Sequence, residues 1–249
     1  MKRRLFYLLP VLLLSTILLG ACDDVDYFPC VRPSGSMIEE SVISAPFDAV
    51  NLAMHASVSI YHGPEHTVTV IAPSNILEHV DIYSHGNTLN IYNSRCLRTK
   101  LNDVRIIITT PELNSLRMAG SGRITVPCEF IGDELTLEIA GSGNIAMQNV
   151  NYEHIRSFIS GSGNIDLKGK TVSQQVQVSG SGKLNAFPLA SEEAFVRISG
   201  SGSVRVHVTR FLDARISGSG NIYYTGSPGL SINISGSGKI NHMDNDMIK

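Results

Sequence analysis

The sequence predicts an all-β chain wound as a parallel β-helix, and three observations carry that prediction. The turn Gly-Ser-Gly recurs with Ser121, Ser142, Ser162, Ser181, Ser201, Ser219 and Ser237 at its centre. Successive centres lie 21, 20, 19, 20, 18 and 18 residues apart. Apolar and polar residues alternate on both sides of each turn. A unit of this size cannot bury its own apolar face, so units must stack into a solenoid.

Numbering each unit from the first glycine of its turn exposes the columns. Offset −2 holds Met118, Ile139, Ile159, Val178, Ile198, Ile216 and Ile234, and offset −4 holds Leu116, Leu137, Ser157, Val176, Val196, Ala214 and Ile232. Beyond the turn, offset +4 holds Ile124, Ile145, Ile165, Leu184, Val204, Ile222 and Ile240. Offset +6 reads Val126, Met147, Leu167, Ala186, Val206 and Tyr224, with His242 as the exception. Alternation on both sides means that each turn joins two half-buried strands. A tight hairpin also gives strand, turn and strand, but it does not require like residues to line up from unit to unit. In a coil, each strand pairs in parallel with its equivalent about 4.8 Å away, and like residues form ladders.

The turn glycines are therefore read as structural: Gly120, Gly122, Gly141, Gly143, Gly161, Gly163, Gly180, Gly182, Gly200, Gly202, Gly218, Gly220, Gly236 and Gly238. Glycine takes positive φ at low cost, and a corner without Cβ lets neighbouring coils approach. Offset +3 is a polar residue leaving the corner, Asn144, Asn164 and Asn221 among them. Residues 45–115 lack the turn but alternate, as in Val68-Thr69-Val70-Ile71 and Leu89-Asn90-Ile91-Tyr92. They are expected to form irregular first coils, with turns at Pro73–Asn75 and His85–Asn87. The polar end, Asn241 to Lys249, is expected to cap the last coil. A left-handed helix would space apolar residues by six, as Ile216 to Ile222 do, but Arg210 and Pro228 break that pattern. The right-handed form is preferred.

The N-terminus reads as an address. Lys2, Arg3 and Arg4 precede an apolar stretch from Leu5 to Leu19, so residues 1–21 are expected to be a signal peptide. Leu19-Gly20-Ala21-Cys22 resembles the lipobox of bacterial lipoproteins. That resemblance implies cleavage before Cys22 and a diacylglycerol on its sulfur, and two or more acyl chains give stable anchoring. Palmitate is among the expected acyl chains. Residues 22–44 are read as a polar linker and 45–249 as one domain. Asp23, Asp24 and Asp26 resemble export tags of surface-displayed lipoproteins in the Bacteroidota, whereas elsewhere such acids mark inner-membrane retention. The expected location is the cell envelope, membrane-anchored at the outer membrane, with the periplasmic and the surface face both open.

Net charge is −2 and the pI about 6.4, which gives no basic field for nucleic acid. Beyond Cys22, the chain has Cys30, Cys96 and Cys128, an odd number for an oxidising compartment. One disulfide is expected, with Cys96–Cys128 favoured because 32 residues separate them, one to two coils.

The columns [Ala/Ser]-Gly-Ser-Gly-Asn-Ile, at Ala140–Ile145, Ser160–Ile165 and Ser217–Ile222, resemble the auto-transporter adhesin head GIN domain family over Phe47 to Ile240. The resemblance implies a right-handed parallel β-helix of the pectin-lyase-like class and an adhesion role, and it transfers no catalytic residue.

Polysaccharide enzymes on such folds need two or three converging acids. Glu138, Asp166 and Asp213 fall at different offsets, and no two acids are read as sharing a column in adjacent coils. Glu192-Glu193 read as solvated loop acids. Corners carrying Arg123, Lys183 and Lys239 are wrong for Ca²⁺, and no metal or cofactor is expected. Arg197, Arg205 and Arg215 are candidate anion-binding residues, the competing reading being pairing with Glu192, Glu193 or Asp213. The expected function is a lipid-anchored, non-catalytic envelope adhesin binding a glycan or a host or envelope protein. An envelope scaffold or stress-regulatory partner is the alternative, and a polysaccharide enzyme a more distant one.

Overall fold

The computed structural model describes residues 29–244. The signal peptide, Cys22 and the last five residues of the expected cap lie outside them. The strands are, in order, β1 (Met37–Ile43), β2 (Ala49–Leu52), β3 (Ser57–His62) and β4 (Thr67–Pro73), the one-turn helix α1 (Ser74–Leu77), β5 (Val80–His85), β6 (Thr88–Asn93) and β7 (Arg105–Thr110). They continue as β8 (Ser115–Met118), β9 (Arg123–Val126) and β10 (Phe130–Ile139). Four long bent strands follow, β11 (Asn144–Ile159), β12 (Asn164–Gly180), β13 (Lys183–Gly200) and β14 (Ser203–Gly218). The last are β15 (Asn221–Thr225), β16 (Gly229–Gly236) and β17 (Lys239–His242).

The body is a β-helix whose coils pair in parallel from β8 to β17. Each column read from the sequence is one ladder. Ile145, Ile165, Leu184, Val204, Ile222 and Ile240 stand in successive register positions. So do Met118, Ile139, Ile159, Val178, Ile198, Ile216 and Ile234 on the other side of the corner. From Ile124 to Ile222 these residues are almost wholly buried, each worth about 1.5–3 kcal/mol of transfer free energy.

The side that faces inward shows how a coil bends. In β11 the buried residues run Ile145, Met147, then Val150, Tyr152, then Ile155, Ser157, Ile159. The parity changes twice, and the same happens in β13 at Leu184, Ala186, then Leu189, Ser191, then Ala194, Val196, Ile198. With the Gly-Ser-Gly corner, each of these coils has three sides: one leaving the corner, a short middle side, and one returning to the next corner.

The corners work by two distinct restrictions. Gly180, Gly200, Gly218 and Gly236 have φ between +126° and +149°, whereas Gly141 and Gly161 are not in the positive-φ region. The expectation of a left-handed corner therefore holds for part of the series. What is common is close approach. A Cβ on Gly218 would stand 2.6 Å from the carbonyl oxygen of Gly200 in the coil before. The second glycine points inward, and the offset −2 residue of the preceding coil fills its place: a Cβ on Gly220 would lie 2.5 Å from Ile198 Cγ2. The corner serines are exposed, and their amides continue the ladder, as in Ser201 N–H to Gly180 O at 2.9 Å.

Three expectations are corrected at the N-terminal end. Residues 45–115 are not all coils, because β4 runs antiparallel to β1 and β7, and β5 antiparallel to β6. Gly86, at φ +57°, opens the two-residue hairpin turn between β5 and β6, and the expected turn at Pro73–Asn75 instead starts α1. The segment 22–44 is not linker throughout. The compact unit begins at Val31, which bridges in parallel to Leu97, and β1 lies within the supposed linker. Finally, Cys96–Cys128 is not the disulfide. Cys30 and Cys96 are the disulfide-bonded cysteines, and Cys128 is the free thiol, half-buried with its sulfur accepting from His62 N–H at 3.1 Å. The Val31–Leu97 bridge, which no periodicity announces, sets the positions of the residues before each.

At the other end the ladders run out. Leu230, Ile232 and Ile234 in β16 are 45%, 50% and 42% exposed.

Candidate binding groove

The short middle side lines an open concavity. A groove of about 570 Å³ crosses five strands, from Ile131 and Asp133 of β10, through Asn151, Tyr152 and Glu153 of β11 and Lys170 to Val172 of β12, to Ala190–Glu192 of β13 and Thr209 of β14. A second hollow of about 460 Å³ shares Ile131, Gly132 and Asp133 with it and adds Glu112, Asn114, Glu134 and Thr136. Together they run lengthwise along the solenoid.

The floor is polar because the chain bends there. A bend interrupts the strand ladder and leaves carbonyls that buried hydroxyls must satisfy. Tyr152 is buried and donates to the carbonyl of Leu113 at 2.5 Å. Its hydroxyl is pushed far above the usual tyrosine range, first by burial and then by the Glu112 carboxylate. Thr171 donates to the carbonyl of Glu153 at 3.0 Å, and Ser191 donates to that of His207 at 2.6 Å while accepting from Gln174 Nε2 at 2.8 Å. Gly132 completes the floor, since a Cβ there would stand 2.8 Å from the Tyr152 ring.

The rim mixes apolar and charged groups. Ile131 is 71% exposed and Val172 42%, unusual for large aliphatic side chains on a solenoid wall. Ile131, Asn151, Lys170 and Ala190 are register neighbours. Asp133 and Glu153 are too, lying between the pairs Gly132–Tyr152 and Glu134–His154. Two acids therefore share a column in adjacent coils, which overturns the reading that none do. Both lie at offset −8, as do Glu112, Val172, Glu192 and Arg210. The column keeps its place when counted back from the turn that follows it, an offset distinct from those of Glu138, Asp166 and Asp213. Arg210 binds Glu192 at 3.6 Å and Glu193 at 2.9 Å, and Arg156 pairs with Glu134. The Glu192 end of the groove is thus neutralised, whereas beside Ile131 Glu134 is paired but the exposed Asp133 and Glu153 form no ion pair among the described residues.

The candidate arginines are only partly brought together. Arg197 and Arg215 are register neighbours, but Arg205 lies beyond the Gly200–Gly202 corner, opposite Asn185 and Tyr223. Asp213 holds Arg215 by two hydrogen bonds of 2.8 and 2.9 Å, and this bonding raises the guanidinium pKa. Arg205 rests on the Tyr223 ring at 5.6 Å. Arg197 borders a hollow of about 340 Å³ with Phe195 and Gln175. Cys22 lies outside the described residues. No helix among the described residues is long and apolar enough to cross a membrane.

A stacked-coil body with an open groove on its middle side defines a β-solenoid. Residues 46–228 match the family described as "Putative auto-transporter adhesin, head GIN domain", and the chain belongs to that family. Membership points to an envelope or surface location and a non-enzymatic role. Among solved structures, a putative adhesin from Bacteroides fragilis superposes with a TM-score of 0.81 at 23% identity, covering 86% of this chain and 100% of that one. A putative lipid binding protein from Parabacteroides distasonis gives 0.71 at 23% identity, covering 86% and 100%. A putative adhesin from Parabacteroides merdae gives 0.68 at 20% identity, covering 86% and 98%. At such identities the likeness shows the fold. No curated protein matches the chain.

Proposed function

We propose that the protein is a lipid-anchored, non-catalytic envelope adhesin, tethered through Cys22, whose groove binds an extended glycan. The observation that carries this reading is the groove itself. It runs across five coils, open along its length, with apolar side chains (Ile131, Val172) between amide, hydroxyl, ammonium and carboxylate groups. Sugars present apolar ring faces edged with hydroxyls, and this mixture of aliphatic contact with many acceptors and donors suits them. A groove open lengthwise accommodates a chain longer than itself. The exposed acids near Ile131 disfavour a strongly anionic polymer there.

Two measurements test the reading. Palmitate labelling in the native host should mark the wild type and be lost in Cys22→Ser; unchanged labelling of the variant removes the anchor. Purified fragment 23–249 should retain neutral or cationic polysaccharides without releasing reducing ends or unsaturated sugars. Turnover abolished by Asp133→Asn together with Glu153→Gln contradicts the binding-only reading.

A further inference from the structure

We propose that a collar of cations where the chain enters the solenoid binds anionic phospholipid headgroups and lays this end of the body against the membrane. The compact unit begins at Val31. Val31 N–H donates to the Cys96 carbonyl at 2.9 Å, and Arg98 N–H donates to the Val31 carbonyl at 2.8 Å. The entry point is thereby fixed to the loop between β6 and β7. That loop and its exits carry Arg95, Arg98, Lys100 and Arg105, with Arg32 directly after the entry residue, all exposed. Asp103 is the single acid between residues 95 and 105, and its carboxylate is engaged by the Lys100 backbone N–H at 2.7 Å.

The second observation is that these cations are unused. On the solenoid wall Arg117, Arg156, Arg210 and Arg215 pair with an acid, whereas others such as Lys170, Lys183 and Arg197 do not among the described residues. The collar differs in gathering its cations within a short stretch around one loop. None of the five collar cations forms an ion pair among the described residues. Arg95, Arg98 and Lys100 on this loop, with Arg32 next to the Val31 bridge and Arg105 at the start of β7, are charges of one sign whose repulsion an anionic surface relieves. Tyr92, at the end of β6 that feeds this loop, is 38% exposed and meets Tyr83 edge-on at 5.6 Å. Exposed tyrosine suits a headgroup region, where a ring with a polar tip is favoured.

The distance is right. Roughly nine residues separate Cys22 from Val31, and a chain that long spans at most about 30 Å. An anchored Cys22 keeps the collar within that reach, so even modest attraction is effective at the high local concentration a tether creates. The proposal rests on the Cys22 anchor for where the membrane lies, but the attraction itself requires only the collar. A basic patch beside an acylated residue adds electrostatic attraction to the anchoring that the acyl chains supply.

The test uses the non-lipidated 23–249 fragment, which retains the whole compact unit, and vesicles of phosphatidylcholine with or without 30 mol% phosphatidylglycerol. The fragment should float with the anionic vesicles at low salt and be released near 0.5 M salt, as the Debye length contracts. Each cation contributes about fivefold, so Arg95→Glu/Arg98→Glu/Lys100→Glu should lower partitioning at least tenfold with an unchanged melting curve. Lys183→Glu/Lys239→Glu, which removes cations from distal corners, should float as the wild type. Absence of flotation with anionic vesicles, or equal loss in the distal variant, overturns the proposal. Acyl labelling of the full chain separates the two readings. Labelling without flotation of the fragment overturns the collar alone, whereas flotation without labelling overturns the anchor and leaves the collar standing.

Discussion

Three glycine-to-alanine substitutions separate the two restrictions that the corners impose. At Gly86, φ is +57° and nothing lies within 4 Å of where a Cβ would be. Gly86→Ala therefore loses only backbone preference, about 1 kcal/mol. At Gly220 no positive φ is involved, but the new methyl would sit 2.5 Å from Ile198 Cγ2 and 2.7 Å from the Gly202 carbonyl oxygen. Both neighbours belong to the preceding coil, one of them backbone, so Gly220→Ala should cost about 1–3 kcal/mol of overpacking. Gly218 combines the two: φ is +131°, and a Cβ would lie 2.6 Å from the Gly200 carbonyl oxygen. Gly218→Ala should then cost about 3–5 kcal/mol. For a domain of this size about 1 kcal/mol moves the melting temperature by about 2–4 °C. Thermal melts of fragment 23–249 should place the variants in the order Gly86→Ala, Gly220→Ala, Gly218→Ala, separated by several degrees. If Gly218→Ala melts with Gly86→Ala, the coils are not held by corner contacts and the reasoning fails.

The same ladder should give unequal costs along its length. Ile216→Ala should destabilise by about 2–5 kcal/mol, but Ile234→Ala, 42% exposed at the last coil, by under about 2 kcal/mol, as denaturant melts will show. Thiol counting on denatured, non-reduced 23–249 should find one reactive cysteine; a count of three would show that no bridge forms, and assignment to a residue other than Cys128 would contradict the bonding pattern. Tyr152→Phe should cost about 1–3 kcal/mol by leaving the buried Leu113 carbonyl without its donor. Because folding raises the Tyr152 pKa above its usual value of 10.0, its contribution is complete below pH 10 and declines as pH rises further. Wild type should lose more stability than Tyr152→Phe between about pH 10 and pH 12, and parallel curves would show that Tyr152 is not withheld from ionisation.

The ladders were legible because a solenoid repeats one register. Ile145, Ile165 and Leu184 are stacked for the same reason that they recur in the sequence, as the turn resets the count in every coil. The middle side was not legible because its length varies between turns, so a residue such as Glu153 keeps its column only when counted from the turn that follows it. The N-terminal end escaped for a different reason. Alternation in Val68–Ile71 signals a strand but not its direction, and β4 pairs antiparallel with β1 and β7. The disulfide pattern depends on one isolated bridge, Val31 to Leu97, which has no repeat to reveal it. Arg197 and Arg215 share offset −3 and stand side by side, whereas Arg205, at offset +5, lies across the Gly200–Gly202 corner from them.

The groove as the binding surface is tested most directly by quantitative binding of fragment 23–249 to a neutral polysaccharide selected on a glycan array, compared between two folded double variants. Ile131→Asp/Lys170→Glu should lose binding at least tenfold, while Arg197→Glu/Arg215→Glu, on a separate side of the coils, should bind as the wild type. Retained binding by the groove variant, with loss in the arginine variant, would contradict the account.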